Sequence, residues 1–468
     1  MTRRSIRANL LLALAAMVIL AVPTTASASL SSAQKKAIQK VGSDAYIYGY
    51  APVYMSRNVN RFPQNMVLNV QYLATDLTRT VVKPNADTLY TIMVLDLSSG
   101  PVIIHTPPTG SRYFALELLD SYTNVTGYIG NRTTGSAGGN YALVGPNWNQ
   151  TTDPLKRSVS STIHATTNLV WVIGRTLVDN QADVPNALAI QDGITAQRNS
   201  AVDAGTFLPR LNLSTPGDSA ATPIAMLPNA AFFKEFGTVT KSQAPPAADA
   251  TLLKGLKKYG IGPALDPNKT QSAAVIAELV KGAVAGQAKI DAGLQTKKNA
   301  SLAKRNGWIL FDGVGVYGKD YLTRAIIAEL GIGANKPEEA IYPAAVTDYA
   351  GQTLNGSGGA KYKIHFAAGQ LPPNNAFWSI TMYAQDQFFI PNSLGRFAIG
   401  DRTPGTTLNT DGSQDIIVSA AQPSTALRGT ANWLPAPEAQ FNVMLRIYLP
   451  KPSALSGTWK YPKITKLP

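Results

Sequence analysis

The spacing of apolar residues changes twice along this 468-residue chain, and that change limits the folds it can adopt. Residues 67–180 contain short β-branched and aromatic runs split by proline- and glycine-rich turns, a pattern typical of a sandwich or barrel. Residues 181–340 carry helical stripes, such as Ile276 with Leu279, and the strand pattern returns over residues 341–468. We therefore predict an α+β chain, mainly β, in which a helical connecting region joins two antiparallel β-sandwiches.

In two segments the regular spacing of apolar residues is clearest. Near the C-terminus, alternate residues are apolar, as expected for a strand with one face in a core. These residues are Phe441, Val443, Leu445, Ile447 and Leu449. Near the other end, Ile38, Val41 and Ala45 recur at spacings of three and four, which predicts a helix over residues 31–50. We expect Pro52 to end or kink that helix.

The first 28 residues have the three parts of a secretory signal peptide. They are a basic start with Arg3, Arg4 and Arg7, an apolar run over Leu10–Val22, and a small-residue cleavage site at Ala26–Ala28. About thirteen apolar residues are fewer than the roughly 20 that a spanning helix needs, so we predict cleavage before Ser29 and no transmembrane anchor afterwards. The mature protein is then secreted or periplasmic, and residues 29–66 form its N-terminal helical segment. The adjacent arginines leave twin-arginine export open as an alternative route.

The predicted mature chain is basic and has no cysteine. Loss of the three signal arginines lowers the formal charge from +14 to +11. The remaining lysines are scattered and no RNA-binding signature occurs, so we predict no nucleic-acid partner. Without cysteine, an exported chain has neither disulfides nor thiolate metal ligands, and its core must stabilise it. We predict no cofactor, and self-association into a homo-oligomer stays open.

An early turn supplies one group of candidate site residues. Asn85 and Asp87 follow Pro84, and such side chains can bond their own backbone before a strand begins. That structural role competes with a functional one, in which Asp87 accepts a proton or binds hydroxyl groups while Tyr90 donates from its phenol. Glu117 is a further candidate, because it stands between apolar residues on one strand face, where burial would raise its pKa. A salt bridge to an arginine is the alternative role of Glu117.

A second group of candidates lies in the C-terminal part. Arg396 and Arg402 present bidentate donors that suit a carboxylate or phosphate ligand, and the structural alternative is that they bond loop carbonyls and acids. Asn392, Asp401 and Tyr383 lie near them in the sequence. Adjacent strand residues point to opposite faces, so Asp401 and Arg402 need not pair with each other.

Two aromatic residues and one further arginine complete the candidates. Trp433 stands beside prolines in a predicted loop, where it would form the wall of a cleft. Trp378 shares a strand face with Ile380 and is predicted to lie in the core. Arg175 follows a predicted strand, and we assign it to the same ligand-binding cleft as the two loop groups.

Familiar catalytic and metal-binding motifs do not occur in the sequence. The three histidines, His105, His164 and His365, show no metal-ligand spacing, and His365 is predicted to face solvent. Neither H-E-x-x-H nor the G-x-S-x-G elbow of serine hydrolases is present. We therefore predict no metal site and no serine nucleophile.

Several ordered motifs resemble a pair of bacterial families that are known only as domains of unknown function, numbered 1254 and 1214. The N-terminal motifs are Pro84–Tyr90, Arg112–Tyr113, Asp120–Asn124, Gly145–Pro146 and Gly174–Thr176. The C-terminal motifs are Trp378–Tyr383, Gly400–Thr403 and Asn432–Pro435. The resemblance extends from about residue 44 to the C-terminus. It implies an exported protein with two jelly-roll-like sandwiches, the first over residues 67–180 and the second over residues 341–468.

Three functional hypotheses follow from these residues. The first is a cleft between the sandwiches that binds a small polar or anionic molecule, lined by Asn85–Tyr90, Arg175 and Asn392–Arg402. The second is a hydrolase in which Asp87 or Glu117 acts as general base. The third is a structural or adhesive envelope protein. The sequence favours the first without naming a ligand.

Overall fold

The computed structural model describes residues 29–79, 82–199, 207–215 and 230–468. The predicted signal peptide, residues 1–28, lies outside these ranges, so cleavage and export stay predictions. Across the described ranges, no helix is both long enough and apolar enough to span a membrane.

The described ranges contain eight α-helices, most of them in the middle of the chain. They are α1 (Ser32–Val59), α2 (Val184–Gly193), α3 (Ala231–Ser242), α4 (Ala250–Lys257), α5 (Pro267–Thr270), α6 (Ala273–Leu302), α7 (Tyr321–Gly331) and α8 (Pro452–Ser456). The helical middle lies between two β-rich parts, so the α+β class predicted from the sequence is confirmed.

Nineteen strands lie in the same described ranges. The N-terminal part contributes β1 (Val67–Val70), β2 (Thr88–Asp96), β3 (Val102–Thr106), β4 (Phe114–Asp120), β5 (Val125–Gly130), β6 (Gly139–Val144), β7 (Ser161–His164), β8 (Leu169–Leu177), β9 (Thr195–Arg198) and β10 (Arg210–Leu213). The C-terminal part contributes β11 (Ala340–Ile341), β12 (Ala344–Ala345), β13 (Lys361–Phe366), β14 (Asn374–Ala384), β15 (Ala398–Gly400), β16 (Gln414–Ser419), β17 (Trp433–Pro435), β18 (Phe441–Pro450) and β19 (Lys463–Lys466).

These strands form four sheets, two in each sandwich. Sheet I has the order β10-β1-β2-β8-β4-β5, and sheet II has the order β7-β6-β3-β9. Sheet III has the order β11-β18-β14-β15, with β12 also paired to β18, and sheet IV has the order β17-β16-β13-β19. Apolar residues of sheets I and II share one core, and those of sheets III and IV share another.

Two details of the strand prediction need correction. Three short pairings are parallel rather than antiparallel, namely β1 with β10, β6 with β7 and β16 with β17. Each follows a long connection that returns the chain in its original direction, as parallel pairing requires. Strands β9 and β10 also fall inside the region predicted as a helical connection, and they complete sheets II and I.

Side chains along β14 and β18 alternate between the two faces of sheet III, and this alternation explains how the sandwiches meet. Trp378 and Ile380 point into the core between sheets III and IV, as predicted for Trp378. Phe377 and Tyr448 point the other way and pack with residues of sheet I in a third apolar cluster. Sheet III is therefore buried on both faces, and the chain stacks four sheets in the order II, I, III and IV.

Helix α1 is longer than predicted and passes through Pro52, because a distant side chain supplies a missing hydrogen bond. A proline has no backbone N–H to donate to the carbonyl four residues earlier. Here that carbonyl belongs to Tyr48, and the buried side chain of Arg324 in α7 donates to it at 2.8 Å. The helix then continues to Val59, whose side chain joins the apolar cluster between the sandwiches.

Helices α1 and α6 approach closely at two glycines. A Cβ atom on Gly42 would lie 2.3 Å from the carbonyl oxygen of Leu279, and one on Gly282 would lie 2.2 Å from that of Gln39. Real Cβ atoms do not come so near, so only glycine fits at these positions. The contact fixes α1 against the helical middle of the chain.

Candidate functional site

Sheets I and III face each other across the boundary between the two sandwiches, and most of the candidate residues lie there. On sheet I, Tyr90, Glu117 and Arg175 share the face that turns away from the first sandwich core, because side chains alternate along each strand. On sheet III, Tyr383 and Arg446 share the opposing face.

The early turn makes the predicted local hydrogen bonds. The backbone N–H of Asp87 donates to the side-chain oxygen of Asn85 at 2.9 Å. The amide of Asn85 also donates to the phenolic oxygen of Tyr448 in the second sandwich at 3.0 Å. The turn is therefore ordered both by its own side chains and by a contact across the boundary.

Asp87 joins the two sandwiches through an arrangement that we call the interdomain latch, formed by Asp87, Ser379 and Arg402. The hydroxyl of Ser379 donates to one carboxylate oxygen at 2.6 Å, and Arg402 donates to the other at 3.0 Å. Arg402 also donates to the backbone oxygen of Val178 at 2.8 Å, and its guanidinium lies 4.3 Å from the ring centre of Phe377. Asp401 also lies 3.4 Å from its neighbour Arg402, a pairing that the sequence had left open.

Two further side chains of sheet III hold the carbonyl groups of the same turn. The phenol of Tyr383 donates to the oxygen of Pro84 at 2.6 Å. The guanidinium of Arg446 donates to the oxygen of Lys83 at 3.1 Å and to the hydroxyl of Tyr383 at 2.6 Å. The second sandwich therefore recognises the backbone of the turn as well as its aspartate.

Glu117 and Arg175 form a buried ion pair within sheet I. Their closest atoms are 2.8 Å apart, and Glu117 has no exposed surface. Arg175 also donates to the backbone oxygen of Gly333 at 2.7 Å and to the side chain of Asn335 at 3.2 Å. Burial raises the pKa of Glu117 to about 7, against the opposing effect of the Arg175 charge. Both alternatives predicted for Glu117, a raised pKa and a salt bridge, are present together.

Several tyrosines lie near this pair at the boundary between the sandwiches. Tyr90 and Tyr342 keep some exposed surface although protein surrounds them. Burial raises the pKa values of Tyr342, Tyr383 and Tyr448, and the proximity of Tyr90 adds to each increase. Tyr342 accepts a hydrogen bond from Asn335 at 2.5 Å. Among the described residues, the hydroxyl of Tyr90 has no hydrogen-bond partner, so its phenol can donate to a ligand.

Three cations lie close to one another beside these tyrosines. Lys83 is largely enclosed, and its pKa falls to about 8 because of burial first and then the charges of Lys298 and Arg446. In the described ranges no carboxylate forms an ion pair with Lys83 or Lys298. We call this region the interdomain cleft, and its residues are Lys83, Tyr90, Arg175, Lys298, Tyr342, Tyr383, Arg446 and Tyr448.

The remaining candidates have local partners and lie apart from this cluster of contacts. Asn392 closes its own loop by accepting from the backbone N–H of Arg396 at 3.0 Å. Arg396 donates to the backbone oxygens of Thr430 and Trp433 at 2.6 and 2.8 Å, which is the structural alternative considered for it. The predicted loop position of Trp433 is wrong: it begins β17, is 4% exposed and donates to the oxygen of Ser419 at 3.0 Å. Because its side chain is buried, the ring of Trp433 does not form an exposed wall.

Several residues of the cleft were not identified from the sequence, although the sequence contained one signal for them. Arg446 and Tyr448 alternate with the apolar residues of the clearest predicted strand, and the face that they share is buried against sheet I. Lys83 precedes the turn and differs from the other lysines in having a positive φ of 54°. Lys298 and Tyr342 carried no sequence signal, because helix α6 and the segment before β12 approach the turn only in the folded chain.

No metal centre accompanies the cleft. Within the residues that the structure describes, no group of three or more His, Cys, Asp or Glu side chains is placed to hold a metal ion. His365 is exposed, as predicted, and its Nδ1 lies 2.6 Å from a carboxylate oxygen of Asp415.

Two families match the two β-rich parts of the chain. The family described as protein of unknown function DUF1254 matches residues 64–198, and the family described as protein of unknown function DUF1214 matches residues 339–452. The chain therefore belongs to the proteins of unknown function that combine these two domains. No curated protein matches it.

Two solved structures resemble the chain. The VPA0106 protein of Vibrio parahaemolyticus is 24% identical, and the alignment covers 92% of this chain and 100% of the other with a TM-score of 0.67. The two proteins therefore share a fold. An uncharacterized protein from Burkholderia cenocepacia is 12% identical, with 92% and 94% of the chains covered and a TM-score of 0.43.

Proposed function

We propose that this protein binds a small anionic molecule in the interdomain cleft. The observation that carries the proposal is Lys83, an enclosed cation that has no acidic partner and lies beside Lys298 and Arg446. Burying an unpaired charge is unfavourable, and adding like charges increases the penalty. A bound anion would remove that penalty, so the arrangement suits a ligand that carries a carboxylate or phosphate.

The rest of the cleft supports a ligand with polar groups besides its charge. The free phenol of Tyr90 offers a hydrogen-bond donor, and the rings of Tyr90 and Tyr342 offer flat apolar surface. Clefts with a few convergent polar groups among aromatic side chains are the usual form of small-molecule sites. Carboxylated sugars and other hydroxy acids fit this description best.

Binding is better supported than hydrolysis. Glu117 has a pKa near neutrality, which suits a general base, but it has no exposed surface and both of its oxygens are in contact with Arg175 or Tyr128. Asp87 is occupied by Ser379 and Arg402 in the latch. Neither carboxylate has a free oxygen directed at a ligand. The predicted signal peptide would place this binding function in the periplasm or outside the cell.

A thermal-shift screen tests the proposal. The purified protein is melted with carboxylates, sugar acids and phosphates, and a ligand that binds only the native state raises Tm in a saturable way. We expect a rise with at least one anion and none with neutral sugars.

The matched variants are Lys83→Met and Lys254→Met, of which Lys254 lies on the surface helix α4. Lys83→Met should raise Tm without ligand, because it removes a destabilised charge, and should abolish the response to the anion. Lys254→Met should keep the response. A panel with no responding anion, or a response that survives in Lys83→Met, would contradict the proposal.

A further inference from the structure

A second pocket, which shares no lining residue with the interdomain cleft, lies between the segment after α6 and the segment after α8. Its volume is about 260 Å³. The residues that matter for its chemistry are Lys304, Arg305, Phe311, Leu455, Trp459 and Tyr461. The proposed function does not involve any of them.

The pocket contains a buried polar atom without a partner. Tyr461 is 5% exposed, and among the described residues no acceptor takes a hydrogen bond from its hydroxyl. Burial raises the pKa of Tyr461 to about 12, although nearby Arg305 opposes the increase, so the phenol keeps its proton at neutral pH. Arg305 is a donor only, and its guanidinium also donates to Ser301 at 3.1 Å and to Asp312 at 3.3 Å. The phenol of Tyr461 therefore remains available to donate to a ligand.

The pocket is also positively charged. Lys304, Arg305 and Lys460 line it, and Asp312 is its one lining acid. Asp312 is 83% exposed, so its ion pair with Arg305 is weak and an incoming carboxylate can replace it.

Besides its charged side chains, the pocket has an aromatic lining that suits a ligand with an apolar body. The rings of Trp459 and Tyr461 pack edge to face with centres 4.9 Å apart, and Leu455 is 43% exposed beside them. A cavity of roughly 150 Å³ accepts benzene. The larger volume here accommodates one aromatic ring together with a short charged substituent.

We propose that this second pocket, which we call the C-terminal pocket, binds a single-ring aromatic carboxylate. The ring lies against Trp459 and Leu455, the carboxylate accepts a hydrogen bond from Tyr461, and Lys304 and Arg305 neutralise its charge. The proposal is limited to binding.

Calorimetric titration of the purified protein with phenylacetate tests this site. We expect saturable binding, at least tenfold weaker binding of the neutral analogue 2-phenylethanol, and no binding of acetate at concentrations up to about 10 mM. These comparisons separate the contribution of the charge from that of the ring. Lack of saturable heat with phenylacetate in the same range would overturn the proposal.

Tyr461→Phe is the sharpest variant, because it deletes only an unpartnered hydroxyl and should not destabilise the fold. We expect it to weaken phenylacetate binding about tenfold, as loss of a hydrogen bond to a charged group does. Lys304→Ala should also weaken binding, whereas the exposed control Lys319→Ala should not. Unchanged affinity in both Tyr461→Phe and Lys304→Ala would overturn the assignment.

The two sites are distinguished with one further variant. Lys83→Met lies in the interdomain cleft and should leave the affinity for phenylacetate unchanged. If Lys83→Met abolishes phenylacetate binding while Tyr461→Phe preserves it, the ligand occupies the interdomain cleft and the C-terminal pocket is not its site.

Discussion

Glu117 and Lys83 are two enclosed ionisable groups whose pKa values move toward neutrality for the same reason. Burial disfavours the charged form of each, so the pKa of the acid rises to about 7 and that of the base falls to about 8. Glu117 has Arg175 as a partner, whereas Lys83 has only other cations beside it. Glu117 therefore has a structural role, and Lys83 is the better indicator of a bound ligand.

The pH dependence of the unfolding free energy should show the titration of Glu117. Its folded-state pKa is raised above the value of 4.5 for an exposed glutamate, so its stabilising contribution is complete below pH 4.5 and is lost as the pH rises through about 7. Each pKa unit corresponds to about 1.4 kcal/mol. In urea titrations, we expect Glu117→Gln to flatten the decline in unfolding free energy between these pH values. The exposed control Glu438→Gln should keep the wild-type slope, and a wild-type slope in Glu117→Gln would show that this carboxyl does not titrate there.

Ligand binding in the interdomain cleft should take up protons. An anion beside Lys83 raises its pKa from about 8 toward the ordinary value, so binding near that pH adds a proton and affinity falls at higher pH. The measurement is calorimetry of the best anion from the screen in two buffers with different ionisation enthalpies. Equal heats in the two buffers near pH 8 would argue against contact between the anion and Lys83.

At the scale of elements, helix α1 depends on contacts that its own sequence does not contain. Pro52 was expected to end or kink this helix, and it does not end it: Arg324, 276 residues away from Tyr48, donates to the carbonyl that proline leaves unpaired. The alternation of β18 was predicted correctly because it repeats within ten residues. The periodicity within one element can thus be predicted from the sequence. The distant residue that contacts the element and changes its length cannot.

The glycine contact between α1 and α6 gives a prediction with a matched control. Gly282→Ala places a methyl group against the backbone oxygen of Gln39, so we expect it to lower the unfolding free energy by about 1–3 kcal/mol despite the better helix propensity of alanine. Gly255→Ala in α4 meets no atom within 4 Å and should be neutral or stabilising by up to about 1 kcal/mol. Urea unfolding compares the two. Equal effects would mean that the helices can separate at little cost.

For the whole molecule, the early turn is the element that joins the two sandwiches. Asp87 and Ser379 are 292 residues apart, and Asp87 and Arg402 are 315 residues apart. The sequence predicted that Asp87 and Arg402 line one cleft between the sandwiches, and both lie at that turn together with Tyr383. Their mutual hydrogen bonds could not be predicted, because nothing local determines which faces of two sheets meet.

A double-mutant cycle should measure the latch. We expect Asp87→Ala and Arg402→Met to be non-additive by about 1–3 kcal/mol in urea unfolding, since the pair is mostly buried and shares a network. The control pair Lys40→Ala and Asp44→Ala lies on the exposed face of α1 and should couple by about 0.5 kcal/mol or less. Additive effects at Asp87 and Arg402 would show that the sandwiches are held together by apolar contacts instead.

The packing of α1 on α6 also determines when the protein can finish folding. Gln39 on α1 bonds Glu278 on α6, which follows 239 residues later in the chain. At synthesis rates of roughly 5–20 residues per second, α1 waits roughly 10–50 s for its partner to be made. The side of α1 that carries Gln39 and Gly42 stays uncovered during that interval, so we expect truncations that end before α6 to expose it and to aggregate.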